Sequence, residues 1–223
     1  VSRGGGGSDD DGACGIVRLR GAFETDAHLV LELELMSGGD LFDRLSGGGV
    51  LRDADAAALT AATLRAARFA RRHGFCHRDI KLSNLIFPRR GAPPGSARLA
   101  DFGMAGRVGA HGLLRGRCGT PGYVAPEILE APPGAGYAAR GVDAFSIGAV
   151  AYTALCGYEP FYGDDDARLT AANRACAYEF HAPEWDGVPR DARDLVAALL
   201  QRDPARRASL DAALAHPWLR RHS

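Results

Sequence analysis

Three short motifs follow one another along the sequence, and together they constrain what this chain can fold into more than any other feature. The octet HRDIKLSN occupies residues 77–84, Asp101-Phe102-Gly103 follows it, and Ala125-Pro126-Glu127 comes third. Either tripeptide alone is a weak signal, because any tripeptide recurs by chance. The complete octet followed by both tripeptides is a strong signal, for which coincidence is a negligible explanation.

The rest of the chain shows short strands near its start and mostly helices afterwards. Apolar and polar residues alternate over residues 16–23 and 28–35, which predicts two antiparallel strands joined by a short turn. A long alanine-rich helix over residues 53–73 follows, with Asp53 or Asp55 as its cap. Shorter helices are predicted near 40–45, 139–157, 165–177, 190–201 and 208–215, and short strands near 75–77, 84–87 and 97–100.

The three motifs resemble those of the serine/threonine protein kinases. The resemblance implies an α+β, protein kinase-like fold with a mainly helical C-lobe and a truncated β-sheet remnant of the N-lobe. It also implies that the chain acts on protein substrates. The reaction would transfer the γ-phosphoryl group of ATP, bound with Mg²⁺, to a serine or threonine hydroxyl.

The resemblance assigns a role to each polar residue of the motifs. Phosphoryl transfer leaves a protein little covalent work, so catalysis rests on positioning and charge neutralisation. Asp79 would orient the attacking hydroxyl and accept its proton, Lys81 would neutralise the transferring group, and Thr120 would bridge the two. Asn84 and Asp101 would supply the oxygen ligands that Mg²⁺ prefers. His77 is expected to pack beneath Phe102 and not to act as a general base.

The second predicted strand resembles the hinge that binds the nucleotide in these kinases. Residues 28–37 align with the family pattern without an insertion. This alignment places Leu33 at the gatekeeper position. Glu34 and Met36 would contact adenine through their backbones, Asp40 would hold the ribose, and Ile86 would form the floor beneath the base. An ordinary β-hairpin explains the alternation of apolar and polar residues here, but it does not explain this register.

Further matches extend the resemblance over nearly the whole chain. Residues 118–124 resemble the substrate-facing loop, and residues 142–148 resemble the central helix whose aspartate, Asp143, anchors the catalytic loop. Glu127 and Arg207 occupy the positions of a buried ion pair. Gly157 to Phe161 and His216-Pro217-Trp218 complete the kinase pattern. Tyr178-Glu179-Phe180 and Trp185-Asp186 resemble a run found in the calcium/calmodulin-dependent kinase group.

The start of the chain departs from the family pattern. Residues 1–12 combine a glycine run with acidic residues, so we expect them to be disordered, and no strand-like residues flank the run as a phosphate loop requires. Residues 13–220 then form a partial kinase domain, with 13–39 as N-lobe remnant and hinge and 40–220 as C-lobe. The glycine-rich loop, the V-A-I-K lysine and its partner glutamate are missing. The chain is therefore either a fragment of a longer kinase, which the intact motifs favour, or a truncated, non-catalytic interaction module.

Composition excludes several other classes of protein. A formal net charge of zero gives no bulk attraction to nucleic acid or to a membrane surface. No apolar run approaches the roughly 20 residues that cross a bilayer. The five cysteines lack C-x-x-C spacing, which favours reduced thiols in a cytoplasmic or nuclear protein. No D-x-D-x-D-G calcium loop and no calmodulin-binding segment is visible in the sequence.

The segment between the second and third motifs has an unusual composition. Residues 104–119 contain no serine, threonine or tyrosine, and Gly116 stands where an activating threonine is usual. We therefore predict that Arg78 has no phosphate partner in this segment. Arg115 and Arg117 are expected to repel Arg78 and to leave the segment loosely ordered.

Overall fold

The structure is a computed structural model that describes residues 15–222. Residues 1–12, for which disorder was predicted, lie outside this range. The strands are β1 (Leu19–Glu24), β2 (Leu29–Leu33), β3 (Phe75–Cys76), β4 (Leu85–Ile86), β5 (Arg98–Leu99), β6 (Gly106–Arg107), β7 (Leu113–Arg115) and β8 (Gly136–Ala138). The helices are α1 (Leu41–Leu45), α2 (Asp53–Arg72), α3 (Pro126–Glu130), α4 (Val142–Cys156), α5 (Asp166–Ala175), α6 (Arg190–Leu199), α7 (Leu210–Leu214) and α8 (Pro217–Arg220).

The predicted hairpin at the start of the described chain forms as an antiparallel pair, β1 with β2. Thr25 closes the turn, because its hydroxyl oxygen accepts hydrogen bonds from the backbone of Ala27 and His28. Every residue of β2 is exposed, so the alternation in its sequence does not correspond to a buried face. The hairpin joins the body of the molecule where the Val17 amide donates to the Leu99 carbonyl at 3.0 Å.

The body of the molecule is built around α4. All residues of this helix are buried, which explains why its sequence is apolar on every side. Gly148 allows a close approach to α6, because a Cβ at this position would lie 2.8 Å from the Cβ of Leu199. Helix α2 packs across α4 through a face of small residues, and burial of such side chains supplies most of the stability of these helices.

A buried ion pair ties α3 to the segment before α7. Arg207 donates from Nη1 to Glu127 Oε1 at 2.7 Å and from Nη2 to Oε2 at 2.9 Å. The Arg207 side chain is fully buried. The same guanidinium donates to the carbonyls of Gly141 and Gln201. The positions predicted for this pair are therefore correct, and the arginine satisfies backbone acceptors as well as the carboxylate.

The predicted cap of α2 is wrong. The residue before the helix is Arg52, whose side chain makes no capping hydrogen bond. Asp53 instead accepts a 2.7 Å hydrogen bond from Trp218 Nε1 and lies 2.9 Å from His222 Nε2. Burial opposes the charged form of Asp53, but the hydrogen bonds from Trp218 and His222 keep its pKa below the ordinary value. Its carboxylate therefore holds the C-terminal end of the chain against α2.

Strands β6, β7 and β8 were not predicted from the sequence, whereas β3 was. Strand β3 pairs with β6, and β7 pairs with β8. Strands β6 and β7 both lie in the segment between the second and third motifs. This segment therefore pairs with one strand that precedes it, β3, and with one that follows it, β8. Among the helices of residues 15–222, none is both long enough and apolar enough to cross a membrane.

Candidate active site

The octet of residues 77–84 forms a loop between β3 and β4. Asp143, which is 3% exposed at the start of α4, accepts hydrogen bonds from the amides of His77 and Arg78, both at 2.9 Å. Arg78 has a φ of 69°, in the left-handed region that few non-glycine residues adopt. The buried carboxylate therefore holds a strained turn in place, which is the anchoring role predicted for it.

Three of the predicted site residues meet in one hydrogen-bonded group, which we call the Asp-Lys-Thr triplet: Asp79, Lys81 and Thr120. Thr120 Oγ1 donates to Asp79 Oδ1 at 2.6 Å and accepts from Lys81 Nζ at 2.9 Å. Lys81 Nζ also lies 2.9 Å from Asp79 Oδ2. Asp79 is 5% exposed, so its charge is stabilised by these two partners more than by water. The triplet places a carboxylate, a cation and a hydroxyl within hydrogen-bond distance of one another.

The two predicted magnesium ligands lie beside the triplet. Asn84 donates from Nδ2 to the Asp79 carbonyl at 2.8 Å, which leaves its Oδ1 as an acceptor. The Ala100 amide donates to the Asn84 carbonyl at 2.9 Å. Asp101 is the next residue after Ala100, so the backbone brings it close to Asn84. Asp101 is exposed, and its Oδ1 accepts from the Gly103 amide.

This donor set fits magnesium, which takes one or two protein oxygen ligands and completes its shell with phosphate and water. Within residues 15–222 no group of three or more His, Cys, Asp or Glu side chains is placed to hold a metal by itself. A metal held by one amide oxygen and one carboxylate would take its remaining ligands from bound phosphate and water. Both observations are consistent with such a site.

His77 is fully buried and has no free ring nitrogen. Its Nε2 lies 2.9 Å from the Ala100 carbonyl, and its Nδ1 accepts from the Asp79 amide at 3.3 Å. Its ring contacts Phe102 edge-on, with 4.7 Å between centroids. Because both nitrogens bond to the backbone, the geometry agrees with the packing role that the sequence favoured over a general base.

The predicted hinge runs beside the predicted adenine floor. The Gly38 amide donates to the Phe87 carbonyl and the Phe87 amide to the Gly39 carbonyl, both at 2.9 Å. Asp40 then forms an antiparallel bridge with Ile86. Asp40 Oδ1 also accepts from the Asp43 amide at 2.8 Å, which caps α1. One oxygen of Asp40 is therefore used in the fold, and the other is available to a ligand.

The other hinge residues lie at the end of β2 and just after it. Leu33 is 49% exposed, and Met36 is half-buried. Glu34 Oε1 accepts from the Arg18 amide at 2.8 Å and forms an ion pair with Arg98 of β5. The role predicted for Glu34 uses its backbone, so this ion pair does not compete with it. The contact was not predicted, because Arg98 lies far from Glu34 in the sequence.

Comparison with known proteins identifies the family. The model of the protein kinase domain matches residues 11–219. This chain belongs to the protein kinase family. Calcium/calmodulin-dependent protein kinase type 1B from Rattus norvegicus and from Homo sapiens are each 38% identical to it over 207 residues, which cover 92% of this chain and 58% of each relative. The type 1 kinase of Caenorhabditis briggsae is 38% identical over 204 residues, with 92% and 56% covered.

These matches confirm the predicted kinase fold and the resemblance to the calcium/calmodulin-dependent group. The kinase chain spans somewhat more than half the length of these curated relatives. In its described part, a small antiparallel hairpin precedes a mainly helical body, as predicted for a truncated N-lobe and a C-lobe.

The activation segment of the kinase, residues 104–119, is held differently from the prediction. Arg78 donates from Nε to the Met104 carbonyl and from Nη1 to the Arg115 carbonyl, both at 2.8 Å. The side chain of Arg115 points to the Gly134 carbonyl, and that of Arg117 to the Ala131 carbonyl. The expected repulsion is wrong, because each of the three guanidinium groups has its own backbone acceptors.

Two polar residues of the kinase site were missed. Tyr137 donates to the Gly116 carbonyl and accepts from Arg78 Nη1, and burial raises the pKa of its hydroxyl, which keeps it protonated. Asn173 is fully buried on α5, accepts from the Gly122 amide and donates to the Val124 carbonyl. It therefore fixes the loop of residues 118–124. A buried asparagine in an amphipathic helix is the one signal that could have drawn attention to it.

Proposed function

We propose that this kinase domain catalyses ATP-dependent phosphorylation of serine or threonine residues in protein substrates. The Asp-Lys-Thr triplet carries the proposal, because polar atoms of its three side chains lie within 2.6–2.9 Å of one another. The arrangement places a carboxylate that can orient a hydroxyl group beside a cation that can neutralise phosphate charge. Phosphoryl transfer needs such an arrangement.

In the reaction, the substrate hydroxyl approaches Asp79, and the carboxylate orients it. The O–H bond breaks as its proton passes to Asp79, and the oxygen forms a new bond to the γ-phosphorus. The bond from that phosphorus to the β-phosphate oxygen breaks, and ADP leaves. Lys81, held by Thr120, neutralises charge on the transferring phosphoryl group. The triplet positions these groups before the substrate arrives, so little reorganisation is needed.

The nucleotide would lie between the hinge and the triplet. Leu33, Glu34 and Met36 would hold adenine from the hinge side, Asp40 the ribose, and Ile86 the opposite face of the base. Mg²⁺, when bound, would neutralise phosphate charge. Its protein ligands would come from the acceptor atoms of Asn84 and Asp101. We place the activity in the cytoplasm or nucleus, because the described cysteines are free thiols, namely Cys76, Cys118, Cys156 and Cys176.

A second candidate function is a non-catalytic interaction module. One observation favours it: Lys81 is the only lysine in the sequence, so this chain does not itself supply a second lysine for the phosphates. The intact triplet favours the catalytic function. A module that only binds a partner does not need a carboxylate and an amide at positions 79 and 84.

A phosphorylation assay with radiolabelled ATP and Mg²⁺ on a mixed serine/threonine peptide library separates the two functions. It is run on the 223-residue chain and on the same chain joined to the residues that precede Val1 in its gene. We expect transfer by the longer protein, and its loss in the Asp79→Asn variant. Absence of transfer by both proteins, with both folded, would favour the interaction module.

A further inference from the structure

A second concave site lies beside the catalytic loop and contains none of the predicted site residues. It is a cavity of about 270 Å³ between the end of α2, the start of α4 and the start of α7. Its floor is formed by buried residues, among them Cys76, Ala139 and Ala144. Burial raises the pKa of the Cys76 thiol to about 12, so this cysteine is an uncharged, inert part of the floor.

Four arginines line this cavity: Arg68, Arg71, Arg72 and Arg140. Within the described part of the chain, neither Arg71 nor Arg140 forms a side-chain hydrogen bond or ion pair. Arg68 and Arg72 share a single carboxylate, Asp211, at 3.4 and 3.7 Å. The cavity wall therefore holds more positive charge than its neighbours neutralise.

The two acidic residues of the lining do not cancel this excess. Asp143 is buried, and each of its oxygens already accepts a backbone hydrogen bond from the catalytic loop. Asp211 lies at the rim with 70% of its side chain exposed, and its two ion pairs are long. Exposed pairs of this kind contribute little free energy, so a better ligand displaces them.

The end of a helix attracts basic residues for a simpler reason, because its carbonyl groups carry partial negative charge. This accounts for Arg71 and Arg72, which lie in the last turn of α2. It does not account for Arg68, one turn earlier, or for Arg140, which lies outside any helix and lines the cavity from the segment before α4. Charge from two separate segments therefore converges on one cavity.

We propose that this cavity binds a phosphate monoester, with Arg71 and Arg140 as its principal ligands. A phosphate monoester carries up to two negative charges and three acceptor oxygens, which match guanidinium groups on two walls. Ser209 adds a donor, because its Oγ accepts from the Ala212 amide and its own proton remains free for the ligand. A phosphorylated residue of a protein and a small phosphorylated metabolite present the same group.

An extended polyanion is a poorer fit to the site. Nucleic acids and anionic membranes bind to runs of basic residues along an open surface. Here the arginines surround a cavity of limited volume, and the chain as a whole has a formal net charge of zero. The proposal concerns a site separate from the kinase centre, and it can hold whether or not the domain transfers phosphate.

Isothermal titration calorimetry on the 223-residue chain, without ATP or Mg²⁺, tests the proposal. The titrants are inorganic phosphate, a phosphoserine peptide, the same peptide with serine, and a single-stranded DNA oligonucleotide. We expect the phosphoserine peptide to bind and the serine peptide not to bind. If inorganic phosphate binds as tightly as the phosphopeptide, the natural ligand is a small phosphate compound. If the phosphopeptide binds more tightly, the ligand is a protein segment.

The variant that removes the site is Arg71→Gln combined with Arg140→Gln. We expect at least about a tenfold loss of affinity, equivalent to about 1.4 kcal/mol. Its matched control is Arg65→Gln, since Arg65 is exposed on α2 and lines a different cavity. That control should bind as the parent does.

Three results would overturn the proposal. They are equal phosphate binding by the folded double variant and the parent, no binding of either phosphate compound by the folded parent, and arginine-dependent binding of the oligonucleotide alone. Circular dichroism establishes folding. If the double variant does not fold, Arg140→Gln alone decides the question, because that residue is exposed and outside the helices.

Discussion

The guanidinium group of Arg78 donates a 2.8 Å hydrogen bond to the backbone carbonyl of Arg115. The same group reaches the Met104 carbonyl at 2.8 Å and the Tyr137 hydroxyl at 3.2 Å. All three acceptors are uncharged. The activation segment is therefore fixed to the catalytic loop through acceptors that the chain always carries, and its position does not require a phosphate.

We predict that any activity of this domain is independent of phosphorylation in the activation segment. Residues 104–119 offer no hydroxyl side chain, and a phosphate on Thr120 would be repelled by Asp79, 2.6 Å from its hydroxyl. Phosphatase treatment followed by mass spectrometry and an activity assay should show an unmodified segment and an unchanged rate. A phosphorylated Thr120 whose removal abolishes activity would contradict the prediction.

The Thr120 hydroxyl gives a second prediction, because it donates to Asp79 and accepts from Lys81. Thr120→Val keeps the shape and removes both hydrogen bonds, so we expect kcat to fall on the order of a hundredfold through misplacement of the two partners. Thr120→Ser keeps the hydroxyl and is the matched control, which should stay near the parent rate. Equal loss in both variants would contradict the prediction, because Thr120→Ser keeps the hydroxyl group.

Much of the fold could be predicted from the sequence where local pattern and tertiary environment agree. The helix predicted over residues 53–73 is α2 (Asp53–Arg72), and the one predicted near 139–157 is α4 (Val142–Cys156). The order of the motifs predicted which residues meet in the triplet. The triplet itself joins residues about forty positions apart, which no periodicity reveals.

The parts that could not be predicted depend on contacts distant in sequence. Strands β6, β7 and β8 have two or three residues each and exist only because they find a partner. Asp53 fails as a cap because Trp218, more than 160 positions later, takes its carboxylate. Likewise, the repulsion expected for Arg115 ignored the carbonyl groups that tertiary structure brings to its side chain.

Removal of one partner from the buried pair of Glu127 and Arg207 should destabilise the helical body strongly. We expect Arg207→Met to lower the free energy of unfolding by roughly 3–5 kcal/mol, because it leaves a buried carboxylate without its partner. Arg202→Met is the control, since Arg202 pairs with Glu130 at the surface and is 61% exposed. That change should cost at most about 1 kcal/mol. Urea denaturation of both variants gives the comparison, and equal losses would refute it.

The exposed hairpin should make the 223-residue chain associate. Leu29, Leu31 and Leu33 share one face of β2 and are 70%, 54% and 49% exposed. A bare leucine face beside an unpaired strand edge favours self-association. Light scattering during size-exclusion chromatography should give a mass that rises with concentration, and Leu29→Lys combined with Leu31→Lys should lower it. A parent chain that stays monomeric at all concentrations would rule this out.

The division of labour between Asp79 and Asp101 is the central claim, and one comparison tests it most directly. In the active protein that contains this domain, kcat and the affinity for Mg²⁺-ATP are measured for Asp79→Asn and for Asp101→Asn. We propose that Asp79 acts on the hydroxyl, so its variant should lose at least about a hundredfold in kcat and bind the nucleotide as the parent does. Asp101 would hold the metal, so its variant should bind Mg²⁺-ATP more weakly. Equal loss of nucleotide binding in the two variants would contradict this account of the site.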